Sequence, residues 1–488
     1  MIRFIIFFLI YFILSKDNYV DSYFHLDNEL EYQLIEYAIL NSDNHDLFVL
    51  NQPYANSQIF KLIENIEIFN DTFCDRYDYL KKKANPIGLK SNLGLNKVEY
   101  DENNPFKIFI HLDGYVDLEN MILVNSIDMD KVLKDDIYYH GDKNKWATAY
   151  ITNSYFLYKK NNIEVFGGRT LRNFGTLNDY GLLFSDNPYS FDHYGFSVNN
   201  KKIKYSFYFT RLNDIDNGQD IQGIVIPEGQ EAVSKRYFSI QRLDFKVYKD
   251  FQGSISAATV YGGPNQGFIA DFINPLNLYY LSQRNNQVQM NNFYQLNLYY
   301  KINNMSIYLD FLIDDIIVNN ESGATDRYDN RFGLMLKGSV SDFIIDRSLF
   351  SIRYVKIWNE TYLSYRNFEN YVFFNKGIGY PYNGFEGLEI SFSLFKYESL
   401  LNNIELEIYR KGDNELLDLF SDQPMSFPSG EVDYGISFLL DLLYYGLGDI
   451  DISLSYNYNQ YSDDFSNLFK DFDSNSFYKF KLVYNFQY

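Results

Sequence analysis

The sequence predicts a transmembrane β-barrel of about 16 to 18 antiparallel strands, all-β apart from a small N-terminal α-helical domain. Three observations predict it. Beyond residue 90, apolar and polar side chains alternate with period two over many short segments. The gaps between those segments are long and brief in turn. The polar parity carries Arg, Lys and Asp, which would lie unpaired in the core of a soluble sandwich but suit a wet interior.

The first residues, MIRFIIFFLIYFILSKDN, place Arg3 before an apolar run from Phe4 to Leu14, with polar residues from Lys16 onward. That pattern predicts a secretory signal peptide over residues 1–15. Elsewhere the chain has no apolar run of about 18 residues, and its mean hydropathy is −0.31, which argues against a helical membrane protein. The single cysteine, Cys74, makes no internal disulfide and does not sit where a lipid-attachment cysteine would. An exported protein independent of disulfides is expected.

Residues 16–88 are expected to form the helical domain. ELEYQLIEYAIL puts Leu30, Leu34, Tyr37 and Ala38 on one helical face, and SQIFKLIENIEIF does the same for Ile59, Leu62, Ile63, Ile66 and Phe69. Pro53 separates the two, with Asn56 as the expected N-cap of the second. A third helix is expected through DTFCDRYDYLKKKA, ending before Pro86. A bundle of roughly 60 residues is small for independent stability and should lean on the strands C-terminal to it.

Residues 89–488 are expected to form the barrel. Ile203, Tyr205, Phe207 and Phe209 alternate with Lys204, Ser206, Tyr208 and Thr210, and Ile307, Leu309, Phe311 and Ile313 face away from Asp310 and Asp314. Long gaps near 171–191, 212–235, 262–292, 359–387 and 411–432 are separated by brief ones near 159–162, 199–202, 249–253 and 303–305. Asn pairs at 161–162, 199–200, 303–304 and 402–403 supply the left-handed backbone of tight hairpins. In the last segment Phe480, Leu482, Tyr484, Phe486 and Tyr488 share one parity, while Lys479, Lys481, Asn485 and Gln487 occupy the other. This strand should turn aromatics to lipid, close against the first strand, and end on the aromatic residue that barrel-assembly machinery reads. Location in a bacterial outer membrane is therefore expected, with the helical domain and both termini in the periplasm. A monomer is expected.

The formal net charge is −21 and the sequence pI about 4.7, with no basic stripe, so no nucleic-acid partner is expected.

Several stretches resemble the Wzi family of capsule-assembly outer-membrane proteins. VFGGRTLRNFGTLNDYGLLFSDNPYSFDHYGFSV, Val165 to Val198, is similar to that family's Gly-Arg strand, loop and Leu-Leu-x-Ser element, although Phe174 stands where a Trp is common. RYFSIQRLDFKVYKDFQGSISAATVYGG, FINPLNLYY, IYLDFLIDDI and IWNETYLSYRNFENYVFFNKGIGYPYNG resemble its later strands and Tyr-rich loop. The resemblance implies a surface protein that holds capsular or extracellular polysaccharide, lectin-like and non-catalytic.

Aromatic faces stack on sugar C–H surfaces while Asn, Asp and Arg bond hydroxyls. Tyr279, Tyr280 and Arg284 in one long loop and Tyr380, Tyr382 and Asn383 in another are therefore the candidate polysaccharide-binding residues. The competing assignment places these tyrosines in an interfacial girdle or in loops folded over the mouth. DIDNGQD, Asp214 to Asp220, departs from calcium-loop spacing and reads as an acidic turn, so no metal or cofactor is expected. Ser190 and His193 lie close in sequence, but no nucleophile, zinc, phosphate or dinucleotide motif appears, and no enzyme is expected. The alternative function is a porin for small solutes, with Arg242, Lys246, Asp310 and Asp314 lining the channel; the same charges could equally pair and seal it.

Overall fold

The computed structural model describes residues 20–26, 29–43, 45–64, 77, 80, 87–98, 107–143, 148–216, 233–264, 266–274, 276–286, 288–315, 330–397, 399–421, 425–447, 449–465, 468 and 472–487. The signal-peptide prediction and Tyr488 lie outside them.

The alternating segments become strands β1 (Ile87–Val98), β2 (Lys107–Asp117), β3 (Met121–Asp130), β4 (Ala149–Lys160), β5 (Ile163–Thr170), β6 (Phe191–Asn199), β7 (Ile203–Arg211), β8 (Val233–Lys246) and β9 (Phe251–Pro264). They continue as β10 (Met290–Ile302), β11 (Met305–Asp315), β12 (Arg331–Ser341), β13 (Ser348–Ile357), β14 (Phe385–Tyr397), β15 (Leu400–Lys411), β16 (Asp433–Leu447), β17 (Ile450–Ser462) and β18 (Asp473–Gln487). Each pairs antiparallel with its sequence neighbour, and β1 pairs with β18 from Lys90↔Gln487 to Val98↔Lys479, closing an 18-stranded barrel. The two-residue strand Ile215–Asp216 only extends the edge of β8.

The brief connections all lie at the end where β1 starts and β18 finishes, and the long ones at the other; these are the turn end and the loop end. Asn161 and Asn303 adopt φ of 53° in two of the brief turns, the left-handed backbone that asparagine tolerates. The Asn402–Asn403 pair is not a turn: both lie within β15, where Asn403 accepts from the Ser393 hydroxyl of β14 at 2.8 Å and donates to Glu405 of its own strand at 2.6 Å. The chain reverses between Tyr397 and Leu400 instead.

Outward side chains such as Ile87, Leu93, Ile108, Ile255, Ile307 and Tyr484 are exposed, as a lipid-facing belt requires. Tyr484 and Phe486 of β18 point outward, opposite to Val483 and Asn485, so the alternation that closes the chain is a lipid face backed by a lumen face. Gly168 of β5 is conformationally obligatory: it has φ of +129°, and a Cβ there would fall on the Ser154 carbonyl oxygen. Gly168→Ala is expected to destabilise the barrel by about 1–3 kcal/mol, read as a lower urea midpoint.

The helical head does not stand apart. Helix α1 (Glu29–Asn41) is buried on every side from Glu31 to Leu40, polar residues included, because it lies inside the turn end of the barrel. Glu36 accepts from Lys337 at 3.2 Å and Ser339 at 2.7 Å, Glu31 accepts from the Tyr445 hydroxyl at 2.9 Å, and Tyr37 packs on Phe395. The expected single apolar face was incomplete because barrel polar groups, not water, surround the rest. In α2 (Asn56–Ile63) the cap is Ala55, whose N–H donates to Gln58 at 3.4 Å; Asn56 starts the helix and donates instead to the Ser22 hydroxyl at 2.8 Å. Of the expected third helix only Tyr77 and Leu80 are described, both buried; the rest lies outside the described residues.

His45, between the helices, carries a pH consequence. Burial first, then Lys246 and Lys301, push its pKa from 6.5 to about 4. Between those two values the unfolded chain takes up a proton that the folded one refuses, so stability falls as pH drops through that window. His45→Gln should flatten the decline in urea midpoint between pH 7 and pH 4.

Candidate functional site

Two loops enter from the loop end, and the first meets the head. The connection 171–190 buries Leu182, Leu183 and Phe184 in the bore, and its Asn173 exchanges backbone hydrogen bonds with Gln52 of the head at 3.0 and 3.3 Å. The connection 358–384 packs beside it through Tyr362 and Tyr371, whose hydroxyls donate to the Leu182 and Leu183 carbonyls at 2.6 and 2.7 Å. Arg236 of β8, fully buried, anchors this second loop by donating to the carbonyls of Phe368 (2.8 Å), Asn370 (2.5 Å) and Val372 (3.0 Å).

The lumen charges expected to line a channel are occupied by these elements. Arg242 pairs with Asp244 at 2.8 Å and donates to the Leu50 carbonyl of the head at 2.8 Å. Lys246 donates to the Asp46 carbonyl at 3.0 Å. Asp310 accepts the Leu182 N–H at 3.2 Å, and Asp314 the Tyr362 N–H at 2.8 Å. Across this half of the bore the charges bind protein rather than water.

The opposite half keeps space. A crevice of about 380 Å³ opens beside β1–β4 and β18 toward the loop end, lined by Tyr150, Tyr180, Tyr189, Asn153, Asn187, Asp128, Asp130, Lys376, Lys479 and Lys481 among others. A second chamber of about 240 Å³ continues toward the turn end beside Arg353, Glu389, Glu405 and Asp441, and the two share Leu26, Tyr180 and Asp186. β18 contributes Lys479 and Lys481 because they hold the lumen parity opposite its aromatic face.

Aromatic packing gives the crevice a fixed rim. Tyr189 meets Tyr150 edge-on at 4.8 Å and His140 at 5.8 Å, and His140 stacks on Phe374 at 4.1 Å. Lys376 lies 5.2 Å from both the Tyr138 and the Tyr189 ring centroids, and the Tyr189 hydroxyl donates to Asp136. Burial, reinforced by that Asp136 bond, holds the Tyr189 phenol above its ordinary pKa, while burial lowers that of Lys376. The floor is polar: Asn96 donates to Asp130 at 3.0 Å and His111 is 2.5 Å from Asp128. Ring faces, amides, carboxylates and ammonium groups around one opening can stack on and hydrogen-bond a hydroxyl-rich ligand.

The residues singled out from sequence are dispersed. Tyr380 and Asn383 are buried in the second loop, with Tyr382 half-exposed beside Tyr380 and Phe385 at 6.3 and 5.3 Å. Tyr279 is 1% exposed and Tyr280 47%, both in helix α3 (Tyr279–Asn286) on the outer wall, so they do not join the other set; the Arg284 side chain lies outside the described residues. A fully buried ring has no face for a sugar. Most of DIDNGQD also lies outside the described residues. Ser190 donates to the Thr152 carbonyl at 2.6 Å, while His193 contacts the Phe191 carbonyl at 3.0 Å and accepts from Arg172 at 2.7 Å. The crevice residues escaped sequence reading because they come from β1 to β4, β18 and three loops; the lumen parity of Lys479 and Lys481 was a local signal for those two.

No family model matches the chain, and no curated protein matches it by sequence. Among solved structures it superposes on Wzi, an outer membrane protein involved in group 1 capsule assembly in Escherichia coli and a carbohydrate-binding β-barrel, with a TM-score of 0.63 at 10% identity over 95% of this chain and 99% of that one. The fold is the Wzi fold. Two Pseudomonas aeruginosa structures match less well: OccD3 (OpdP), TM-score 0.45 at 11% identity over 83% of this chain and 91% of its own, and the outer membrane protein OprD, 0.46 at 9% over 83% and 94%. In this Wzi-like barrel the stretch Val165–Val198 is β5, the inward loop and β6, and Phe174 lies fully buried with the Arg242 guanidinium 4.7 Å from its ring.

Proposed function

We propose that this protein holds capsular or extracellular polysaccharide at the surface of a bacterial outer membrane, as a non-catalytic, lectin-like monomer with its loop end outward and its helical head toward the periplasm. The observation that carries this reading is a bore occupied from both ends, meeting at Gln52 and Asn173, beside a tyrosine- and lysine-rimmed crevice that opens among the loops. Carbohydrate binding by the Wzi structure of the same fold supports it. Passage of small solutes is the second reading, favoured by the two chambers sharing Leu26, Tyr180 and Asp186. Planar-bilayer recording separates the two. The full chain is expected to be electrically silent; steady single-channel conductance would establish the pore instead.

A further inference from the structure

The connection from β9 to β10 takes a different course from the loops that fill the bore. It folds down over the outer face of the barrel, where Phe272 and Tyr279 bury themselves against Tyr237, Tyr261 and Met290. Tyr261 stacks on Tyr237 at 5.2 Å and meets Phe272 at 4.4 Å. The Asn277 carbonyl accepts from Gln241, well along β8 from the loop end, at 2.8 Å. Having covered part of the wall, the segment presents a new apolar surface of its own: Leu276 is 81% exposed, Leu278 63% and Leu281 52%. Between Asp271 and Arg284 there is no charged residue, in a chain that is 22% charged.

We propose that the segment from Asp271 to Ser282 is a lipid-contacting wedge that lies beside the barrel in the acyl-chain layer of the membrane. Two further observations favour lipid over a protein partner. The surface is continuous with the barrel's own belt, since Ile255 on the outward face of β9 is exposed below the Tyr261 that the wedge covers. Part of the segment's irregular backbone is hydrogen-bonded internally, the arrangement that hydrocarbon favours. The N–H groups of Phe272, Asn274, Asn277, Leu281 and Ser282 donate to carbonyls within the segment or just before it. Asn274 accepts the Leu276 N–H at 3.1 Å, Asn277 donates to the Asp271 carbonyl at 2.9 Å, and Ser282 donates to the Asn277 side chain at 2.6 Å. Two side chains, Asn274 and Asn277, thus close bonds with the segment's own backbone. The inference rests on the membrane-spanning fold and is independent of what the crevice binds.

The test uses nitroxide labels on the full chain in phosphatidylcholine vesicles, in a Cys74→Ser background. Leu278→Cys and Leu276→Cys are the reporters, both exposed and therefore removed from packing; Ile255→Cys marks the lipid belt and Leu417→Cys the watery loop end. Labels on the wedge should collide with oxygen in preference to a water-soluble nickel complex, with a ratio matching position 255. A ratio matching position 417 would overturn the proposal. So would shielding from both reagents or spin–spin broadening between copies, since either would mean that protein covers the patch.

Discussion

Replacing Asp179 with alanine is expected to lower the stability of the barrel by about 3 kcal/mol, the cost of removing the buried carboxylate that Lys337 and Arg353 share. Asp179 enters the bore on the inward loop and takes Lys337 of β12 at 2.8 Å and Arg353 of β13 at 2.6 Å, while Glu36 of α1 shares the same lysine at 3.2 Å. Head, loop and wall therefore meet in one charge cluster, and Arg353 extends it to Glu389 and Glu407. Burial alone would raise the Asp179 carboxyl, but Lys337 and Arg353 outweigh it and hold the group below its ordinary value. A depressed carboxylate contributes stability above its unfolded pKa of about 3.9, and that contribution is lost as pH falls through the folded value. Urea unfolding should accordingly separate Asp179→Ala from the parent chain at pH 7 and bring the two together in strong acid. Equal midpoints at pH 7 would remove the cluster from any structural role.

Arg236→Ala should release the second inward loop. The guanidinium spends its donors on three carbonyls of residues 368–372, and truncation strands all of them in a buried site, a loss on the order of 3 kcal/mol. Arg236→Lys should rescue little, because a point ammonium cannot span the fork that reaches three acceptors. Limited proteolysis reads the result directly: 358–384 is expected to resist cleavage in the parent and to be cut in both variants. Protection retained in Arg236→Ala would contradict the anchoring role.

The strand wall was legible in sequence because each strand states its own rule. Ile203 to Phe209 and Phe480 to Phe486 need only their alternation and the lipid outside to be read. The alternating gap lengths supplied the two ends. What fills the bore was not legible in the same way. Glu31, Gln33 and Glu36 look like the solvent face of an amphipathic helix, and it takes Tyr445, Lys337, Ser339 and Asn178, all more than a hundred residues away, to make the two glutamates interior groups. Composition makes Tyr279 and Tyr280 a candidate sugar platform, but side-chain type alone does not say whether a loop folds into the mouth or down the outer wall. The crevice was hidden for a related reason: Tyr189, Lys376 and Lys479 converge only after the barrel closes.

The most direct test is retention of purified surface polysaccharide by immobilised, refolded protein, comparing the parent with a Tyr189→Ala, Lys376→Gln double variant and with Tyr280→Ala on the outer wall. The parent and Tyr280→Ala should retain the glycan alike, and the double variant should bind at least about tenfold more weakly, a change of about 1.4 kcal/mol. Failure of the parent to retain any glycan, or equal retention by the double variant, would contradict the assignment of the crevice.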